Sequence, residues 1–117
     1  MQVMEAFKRV LGHEYPTTLT STANLASTYR KQGRWKEAEE LEVQVVGVRK
    51  RVLGQEHSTT LTSIANLAST YRKQGRWKET DELEVQVVEM GKRVLGQEHP
   101  DTLSSMDNLA STYLSQE

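Results

Sequence analysis

Apolar residues along the chain recur at steps of three and four residues, which is the spacing of one face of an α-helix. The first stripe ends before Gly33 and consists of Leu19, Thr22, Leu25, Ala26 and Tyr29. The second ends before Gly54 and consists of Trp35, Ala38, Leu41, Val45, Val48 and Val52. Because a glycine after a basic last turn commonly stops a helix, the pattern predicts two helices, A and B, joined as an antiparallel hairpin.

The whole pattern returns at a period of 42 residues. Residues 10–51 and 52–93 are identical at 33 of 42 positions, and a third copy begins at Val94 and stops after 24 residues. A fixed period of this size is typical of stacked units rather than of a closed globule. The sequence therefore predicts one array, divided into a partial repeat 1–9, repeats 10–51 and 52–93, and a partial repeat 94–117.

Local signals support these helix boundaries. Helix A of the second copy is predicted to begin at Ser58, a good N-cap residue, and that of the third at Pro100, which suits a first turn. Acidic residues crowd the start of helix B and basic ones its end, where they complement the helix dipole; these are Glu37, Glu39, Glu40, Glu42, Arg49, Lys50 and Arg51. Gly47 and Gly91 are expected to weaken helix B by about 1 kcal/mol each.

Further apolar residues lie outside the two stripes. Val43 and Val46 form a second set on helix B, which a lone hairpin would expose to water. We expect neighbouring repeats to bury them, and Leu11, Leu53 and Leu95 to seal the junctions between repeats.

Composition narrows the function classes. Fifteen Lys and Arg against sixteen Asp and Glu give a net charge of -1, so no nucleic-acid partner is expected. The chain has no cysteine, no signal-peptide pattern and no apolar run of about 18 residues, so we expect no membrane partner and a cytoplasmic location.

Catalytic signals are weak. The sequence has no Gly-rich phosphate loop, no H-E-x-x-H and no G-x-S-x-G motif. The three histidines, His13, His57 and His99, lie in junctions, where helix capping or exposure is the expected role. The tryptophans and the repeated tyrosines are expected to pack in the core; these are Trp35, Trp77, Tyr29, Tyr71 and Tyr113. We therefore predict no enzyme activity, no catalytic residue, no metal and no cofactor.

Several motif positions resemble the tetratricopeptide repeat (TPR) family in its 42-residue, kinesin light chain-like variety. They are Asn24-Leu25-Ala26, Tyr29, Gly33 and Trp35-Lys36-Glu37-Ala38-Glu39, and they recur in the second copy. The resemblance implies an all-α fold, a right-handed α-solenoid of antiparallel hairpins. Thr80 in place of Ala38, and Asp107 in place of Ala23, depart from the pattern.

By the same resemblance, helix A lines a concave surface that binds extended peptides. At 100° per residue, Thr20, Asn24 and Ser27 share an arc opposite the apolar stripe. The predicted peptide-binding residues are Thr20, Asn24, Ser27, Lys31, Thr62, Asn66, Ser69, Lys73, Asn108 and Ser111. The asparagine amides can donate to and accept from a peptide backbone. The lysines, flanked by Arg30 and Arg72, would favour an acidic ligand, although a merely solvated face is the alternative.

Two function classes follow. The first is a non-enzymatic scaffold that binds a protein or an acidic extended peptide. The second is a self-associating structural fragment, or an engineered repeat, with no ligand of its own. Uncapped terminal helices favour homo-oligomers, since apolar residues are expected to be exposed at both ends: Met1, Val3, Met4 and Phe7, and Leu103, Leu109 and Tyr113.

Overall fold

The structure is a computed structural model and describes residues 16–115. Within this range the chain forms five helices: α1 (Pro16–Lys31), α2 (Trp35–Leu53), α3 (Ser58–Lys73), α4 (Trp77–Val94) and α5 (Pro100–Ser115). The described residues contain no strand. Helices α1, α3 and α5 are the predicted A helices, and α2 and α4 are the predicted B helices. The all-α prediction is thus confirmed.

The helices form a row rather than a ball. Each helix packs against the helices before and after it in sequence, so that α2 lies between α1 and α3, and α4 between α3 and α5. The molecule measures 43 × 29 × 19 Å. This elongated stack is the helical solenoid that the repeat period predicts.

Glycine ends the first two A helices, α1 and α3, as predicted. Gly33 and Gly75 have φ angles of +78° and +75°. Glycine adopts this left-handed conformation with little steric strain, because it has no Cβ. After α3, the Gly75 amide donates to the Arg72 carbonyl at 3.0 Å and the Arg76 amide donates to the Tyr71 carbonyl at 3.0 Å. These bonds use carbonyls that the helix end would otherwise leave unpaired.

The residue that caps the start of α3 is not the predicted one. The N-cap of α3 is His57 rather than Ser58: its Nδ1 accepts from the Thr59 amide at 3.1 Å, and Ser58 is the first helical residue. His99 accepts likewise from the Asp101 amide at 3.1 Å. The predicted capping role is therefore confirmed for His57 and His99, whereas His13 lies outside the described residues. Pro100 is the first residue of α5, as expected.

The apolar core lies between adjacent helices. Its centre is a cluster contributed by α2, α3 and α4 and formed by Val46, Ile64, Leu67 and Val87. The predicted stripes are confirmed at buried Leu19, Ala26, Ala38, Leu41, Val45 and Val48. Gly47 and Gly91 do not interrupt helix B, because α2 and α4 run through them.

Three expected core positions are exposed. Val43 is 46% exposed because it lies about 60° beyond Val46 around α2, outside the buried arc. Val52 and Leu53 are 47% and 42% exposed, so the prediction that Leu53 seals a junction is wrong. Both lie in the last turn of α2, beyond the Arg49 turn that contacts α3. Leu95 is half-buried, and Leu11 is outside the described residues.

Equivalent aromatic residues of the two complete repeats have the same degree of burial. Trp35 and Trp77 are half-buried at the starts of α2 and α4. Tyr29 and Tyr71 are also half-buried, and each carries an arginine guanidinium over its ring, at 4.4 and 4.5 Å from the ring centre. Tyr113 is 49% exposed, so the prediction that it packs in the core is wrong, whereas the prediction that it is exposed on the last A helix is confirmed. The described residues include no helix after α5 that could cover it.

Candidate functional site

The predicted binding residues lie on the side of the A helices that faces away from the core. Most are exposed: Thr20, Asn24, Lys31, Thr62, Lys73, Asn108 and Ser111. Three are half-buried: Ser27, Asn66 and Ser69. The helical-wheel prediction of an outward face therefore agrees with the structure, and ligand binding by this face remains a prediction.

Buried polar side chains tie each repeat to the next. At the first repeat interface, the Glu42 carboxylate is 5% exposed and lies 3.2 Å from Arg30 Nε. The Thr70 hydroxyl donates to its other oxygen at 2.5 Å. Arg30, Glu42 and Thr70 belong to α1, α2 and α3, so this first latch connects three successive helices.

A second latch repeats this arrangement one period later. Arg72 Nη2 lies 2.8 Å from the Glu84 carboxylate, and the Thr112 hydroxyl donates to the same carboxylate. Arg72 also donates to the Asn108 carbonyl at 2.7 Å and to the Thr112 oxygen at 2.6 Å. Arg30 and Arg72 are thus engaged within the solenoid, and the expectation that they favour an acidic ligand stays a prediction. Lys31 and Lys73 remain exposed.

The acidic residues of helix B fall into two groups. At the start of α2, hydrogen bonds from its own backbone amide and from Arg34 lower the pKa of Glu37. At the start of α4, the pKa of Glu79 is lowered in the same way, with Arg76 as the side-chain donor. Glu42 is different, because burial raises its pKa despite the opposing effects of Thr70 and Arg30. Glu42 also lies beyond the first turn of α2, where the helix dipole acts, so the helix-dipole role predicted for it is wrong.

Sequence reasoning missed Glu42 and Glu84 as buried residues. A signal was present, since Glu42 follows Ala38 by four residues and precedes Val45 by three, which places it on the apolar stripe. A carboxylate on that stripe needs a buried partner. The partners, Thr70 and Arg30, are distant in sequence and could not be identified from spacing.

A groove of about 360 Å³ opens between α3, α4 and α5. Asn66 and Asn108, two of the predicted asparagines, both line it, and Thr62 lies beside them. The other lining residues are Ser58, Leu61, Ala65, Val87, Gly91, Leu95, His99, Asp101, Thr102, Ser104 and Ser105. The structure therefore brings the second and third members of the asparagine ladder to one depression.

Smaller hollows lie beneath the asparagines at both interfaces. Asn66 lines one of about 20 Å³ with Ala23, Glu42 and Arg49, and Asn108 lines another of about 20 Å³ with Ala65 and Glu84. A hollow of this size accommodates about one water molecule. Of these depressions, only the groove could admit a side chain of a partner.

The asparagine amides are not used inside the solenoid. The backbone carbonyls of Asn24, Asn66 and Asn108 accept hydrogen bonds from side chains one turn away or from Arg72. Over residues 16–115, no hydrogen bond involves their side-chain amides. A polar ligand could therefore pair with these amides without breaking existing bonds.

Two further properties bear on function. Among the described residues, no group of three His, Asp or Glu side chains is placed to hold a metal ion. None of the five helices combines the length and apolar character needed to cross a membrane.

Comparisons with known proteins give one family. The tetratricopeptide repeat model matches residues 18–59 and 60–101. The solved structure of a protein from Podosopora anserina, described as a kinesin light chain with nearly identical TPR-like repeats, superposes with a TM-score of 0.88 at 36% identity. That match covers 98% of this chain and 55% of the other, so this chain spans about half its length.

Two more structures are similar. A single-substitution variant of the same protein gives a TM-score of 0.85 at 36% identity, covering 98% of this chain and 54% of that one. BtubC (BKLC) from P. vanneervenii gives 0.78 at 20% identity, covering 85% and 39% of the two chains, and shows the fold alone. No curated protein matched the sequence. Because the repeat model matches twice in succession and covers most of the chain, the chain belongs to the tetratricopeptide repeat family.

Proposed function

We propose that the chain is a non-enzymatic interaction module that binds an extended peptide along the outward face of α1, α3 and α5. The observation that carries the proposal is that Asn66 of α3 and Asn108 of α5 line one groove. Their amides can donate to and accept from the backbone of a peptide that crosses from one helix to the next. TPR repeats are in general protein-interaction scaffolds, which supports this choice over catalysis.

An acidic stretch of the peptide would lie near Lys31 and Lys73, at the C-terminal ends of α1 and α3. Both lysines are exposed, and they lie one period apart on adjacent A helices. Exposed charges contribute modestly and are screened by salt, so this preference should weaken as ionic strength rises.

A panel of extended peptides with acidic, neutral and basic segments tests the proposal by fluorescence anisotropy. We expect replacement of Asn24, Asn66 and Asn108 by alanine to weaken binding about tenfold or more, through lost hydrogen bonds. Gln55→Ala with Gln97→Ala is a matched control, because these exposed amides lie in the loops. Equal binding by both variants would contradict the proposal.

Self-association is a second candidate, favoured by one specific observation. On α5, Leu103, Met106, Tyr113 and Leu114 are 48%, 41%, 49% and 71% exposed. Their equivalents on α3 include Leu61 and Ile64, which are 5% and 0% exposed. A second copy could cover this face; the N-terminal residues Met1, Val3, Met4 and Phe7, which we expect to take part, lie outside the described residues.

Sedimentation velocity over a concentration series distinguishes this candidate. We expect the sedimentation coefficient to rise with concentration, and Leu103→Glu with Tyr113→Ser to abolish the rise. A monomer at all concentrations would exclude self-association while leaving peptide binding untouched.

A further inference from the structure

The groove occupies a place where the two repeats differ. At the first interface, Arg49 of α2 extends its Nη1 to the Ser63 hydroxyl at 2.5 Å, and its carbonyl accepts from Thr60 at 3.3 Å. One period later, Gly91 stands in place of Arg49. The equivalents of Ser63 and Thr60 are retained as Ser105 and Thr102, and both line the groove. The hydroxyl that receives the arginine side chain is therefore present in both copies, as Ser63 and Ser105, but the second copy lacks the arginine.

A buried hydroxyl is left unpaired there. Thr102 is 1% exposed, and its Oγ1 has no hydrogen-bond partner. This oxygen lies beside Gly91, only 3.2 Å from where a Cβ of that residue would be, so α5 approaches α4 closely at this glycine. An unpaired buried polar group is unfavourable, and native proteins rarely retain one without a purpose.

The charge of the groove favours a cation. Asp101 is the residue with a formal charge among those that line it, and neither Lys nor Arg lines it within the described part of the chain. Leu61, Val87 and Leu95 supply apolar surface. An arginine fits both properties, since its apolar stem covers hydrophobic surface while its planar guanidinium pairs with oxygen acceptors and carboxylates.

We infer that the groove beside Gly91 binds an arginine side chain of the partner peptide, at the place that the chain's own Arg49 fills in the preceding repeat. The inference rests on the proposed peptide binding and assigns the class of its anchor residue. It also gives the bound peptide a direction, since the groove lies toward the N-terminal ends of α3 and α5, away from Lys73.

The test uses a small probe on the full chain. N-acetyl-arginine methylamide and its citrulline analogue, which has nearly the same shape but no charge, are titrated and followed by NMR. We expect the arginine probe to shift the amides of Gly91, Asp101 and Ser105, and the citrulline probe to bind about tenfold more weakly, since hydrogen bonds to charged groups are the stronger kind.

Three variants locate the site. Gly91→Arg fills the groove with the residue of the first repeat, and it should abolish probe binding. Gly47→Arg is matched in charge and in helix type but projects into open space, so it should bind the probe as the unchanged chain does. Arg49→Gly should create a second site and double the stoichiometry.

Equal binding of the two probes, or binding that survives Gly91→Arg, would overturn the inference. Peptide binding that needs Asn66 and Asn108 but tolerates both Gly91→Arg and replacement of every peptide arginine by citrulline would also overturn it, while the proposed function would stand. Arginine-selective probe binding in a chain that binds no peptide would support the site and contradict the proposed function.

Discussion

The two repeat interfaces share most of their residues, but they differ at their outer edge. Both hold a buried glutamate, a threonine on the next A helix and an arginine on the preceding one. The first interface then fills its outer edge with Arg49, whereas the second leaves a groove beside Gly91. Stacking is therefore encoded by positions that repeat, and a ligand site can arise at a position that does not.

The interfaces also differ in how their latches are paired. Arg72 reaches the Glu84 carboxylate, the Asn108 carbonyl and Thr112. Arg30 forms an ion pair with Glu42. The arginine side chains are almost equally exposed, at 26% and 24%, so their difference lies in the number of partners rather than in burial. The second interface thus has additional contacts of Arg72, but it lacks the contact that Arg49 makes in the first.

The largest loss of stability should come from a substitution in the core that the two interfaces share. Ile64 is fully buried between Val46 and Val87, so Ile64→Ala should lower the free energy of unfolding by about 3 kcal/mol through lost burial and a cavity. Met106, its equivalent on α5, is 41% exposed, and Met106→Ala should cost no more than about 0.5 kcal/mol. Urea denaturation measures both, and equal losses would contradict the assignment of a core centred on Ile64.

The latches give the next largest effect. Arg72→Ala removes three contacts around a buried carboxylate and should cost about 2 kcal/mol, whereas Arg30→Ala should cost about 1 kcal/mol. Hydrogen exchange measured helix by helix should show the greater loss of protection in α5 for Arg72→Ala. A larger loss for Arg30→Ala would reverse the ranking of the two interfaces.

The hairpins, their order and their stacking could be predicted from sequence, because helix period, glycine stops and the 42-residue repeat are local or periodic signals. The latches could not be predicted. The residues of the first, Arg30, Glu42 and Thr70, are far apart in sequence, and only the packing angle of successive helices brings them together. Solvent exposure at Leu53 likewise depends on how far a neighbouring helix extends.

The candidate site shows the same division. Helical periodicity sufficed to place Asn24, Asn66 and Asn108 outward. It could not show that Arg72 turns inward to Glu84, or that Gly91 leaves a groove. Both outcomes depend on contacts between repeats. Gly91 had been expected only to weaken a helix, a consequence of local propensity alone.

The first latch should make stability depend on pH through Glu42. Burial raises the pKa of Glu42 in the folded state above its ordinary value of 4.5. Between these two values the folded chain binds more protons than the unfolded chain, so this stabilisation is complete below 4.5 and is lost as pH rises through the folded pKa. Glu37 and Glu79, whose pKa values are lowered, act in the opposite direction, losing stabilisation as pH falls.

Comparing the unchanged chain with Glu42→Gln isolates this contribution, because the other carboxylates are common to both. Gln can still accept from Thr70. We expect the stability of Glu42→Gln relative to the unchanged chain to increase as pH is raised from 4 to 7 in urea denaturation. A difference that is constant or falls with pH would show that the pKa of Glu42 is not raised.

The smallest expected change in stability is the difference between removing the His57 cap and removing the His99 cap. His57→Ala leaves the Thr59 amide without its acceptor, and such cap losses typically cost about 1 kcal/mol. His99→Ala should cost less, because Pro100 fixes the first helical φ and Asp101 complements the helix dipole at the start of α5.

His57→Asn is the matched control, since asparagine is among the best N-cap residues and should restore most of the lost stability. Hydrogen exchange at Thr59 and Asp101 reports each cap directly. If His99→Ala destabilised the chain as much as His57→Ala, the first-turn residues of α5 would have no capping value of their own. The start of α5 beside the groove would then depend on His99 as strongly as α3 depends on His57.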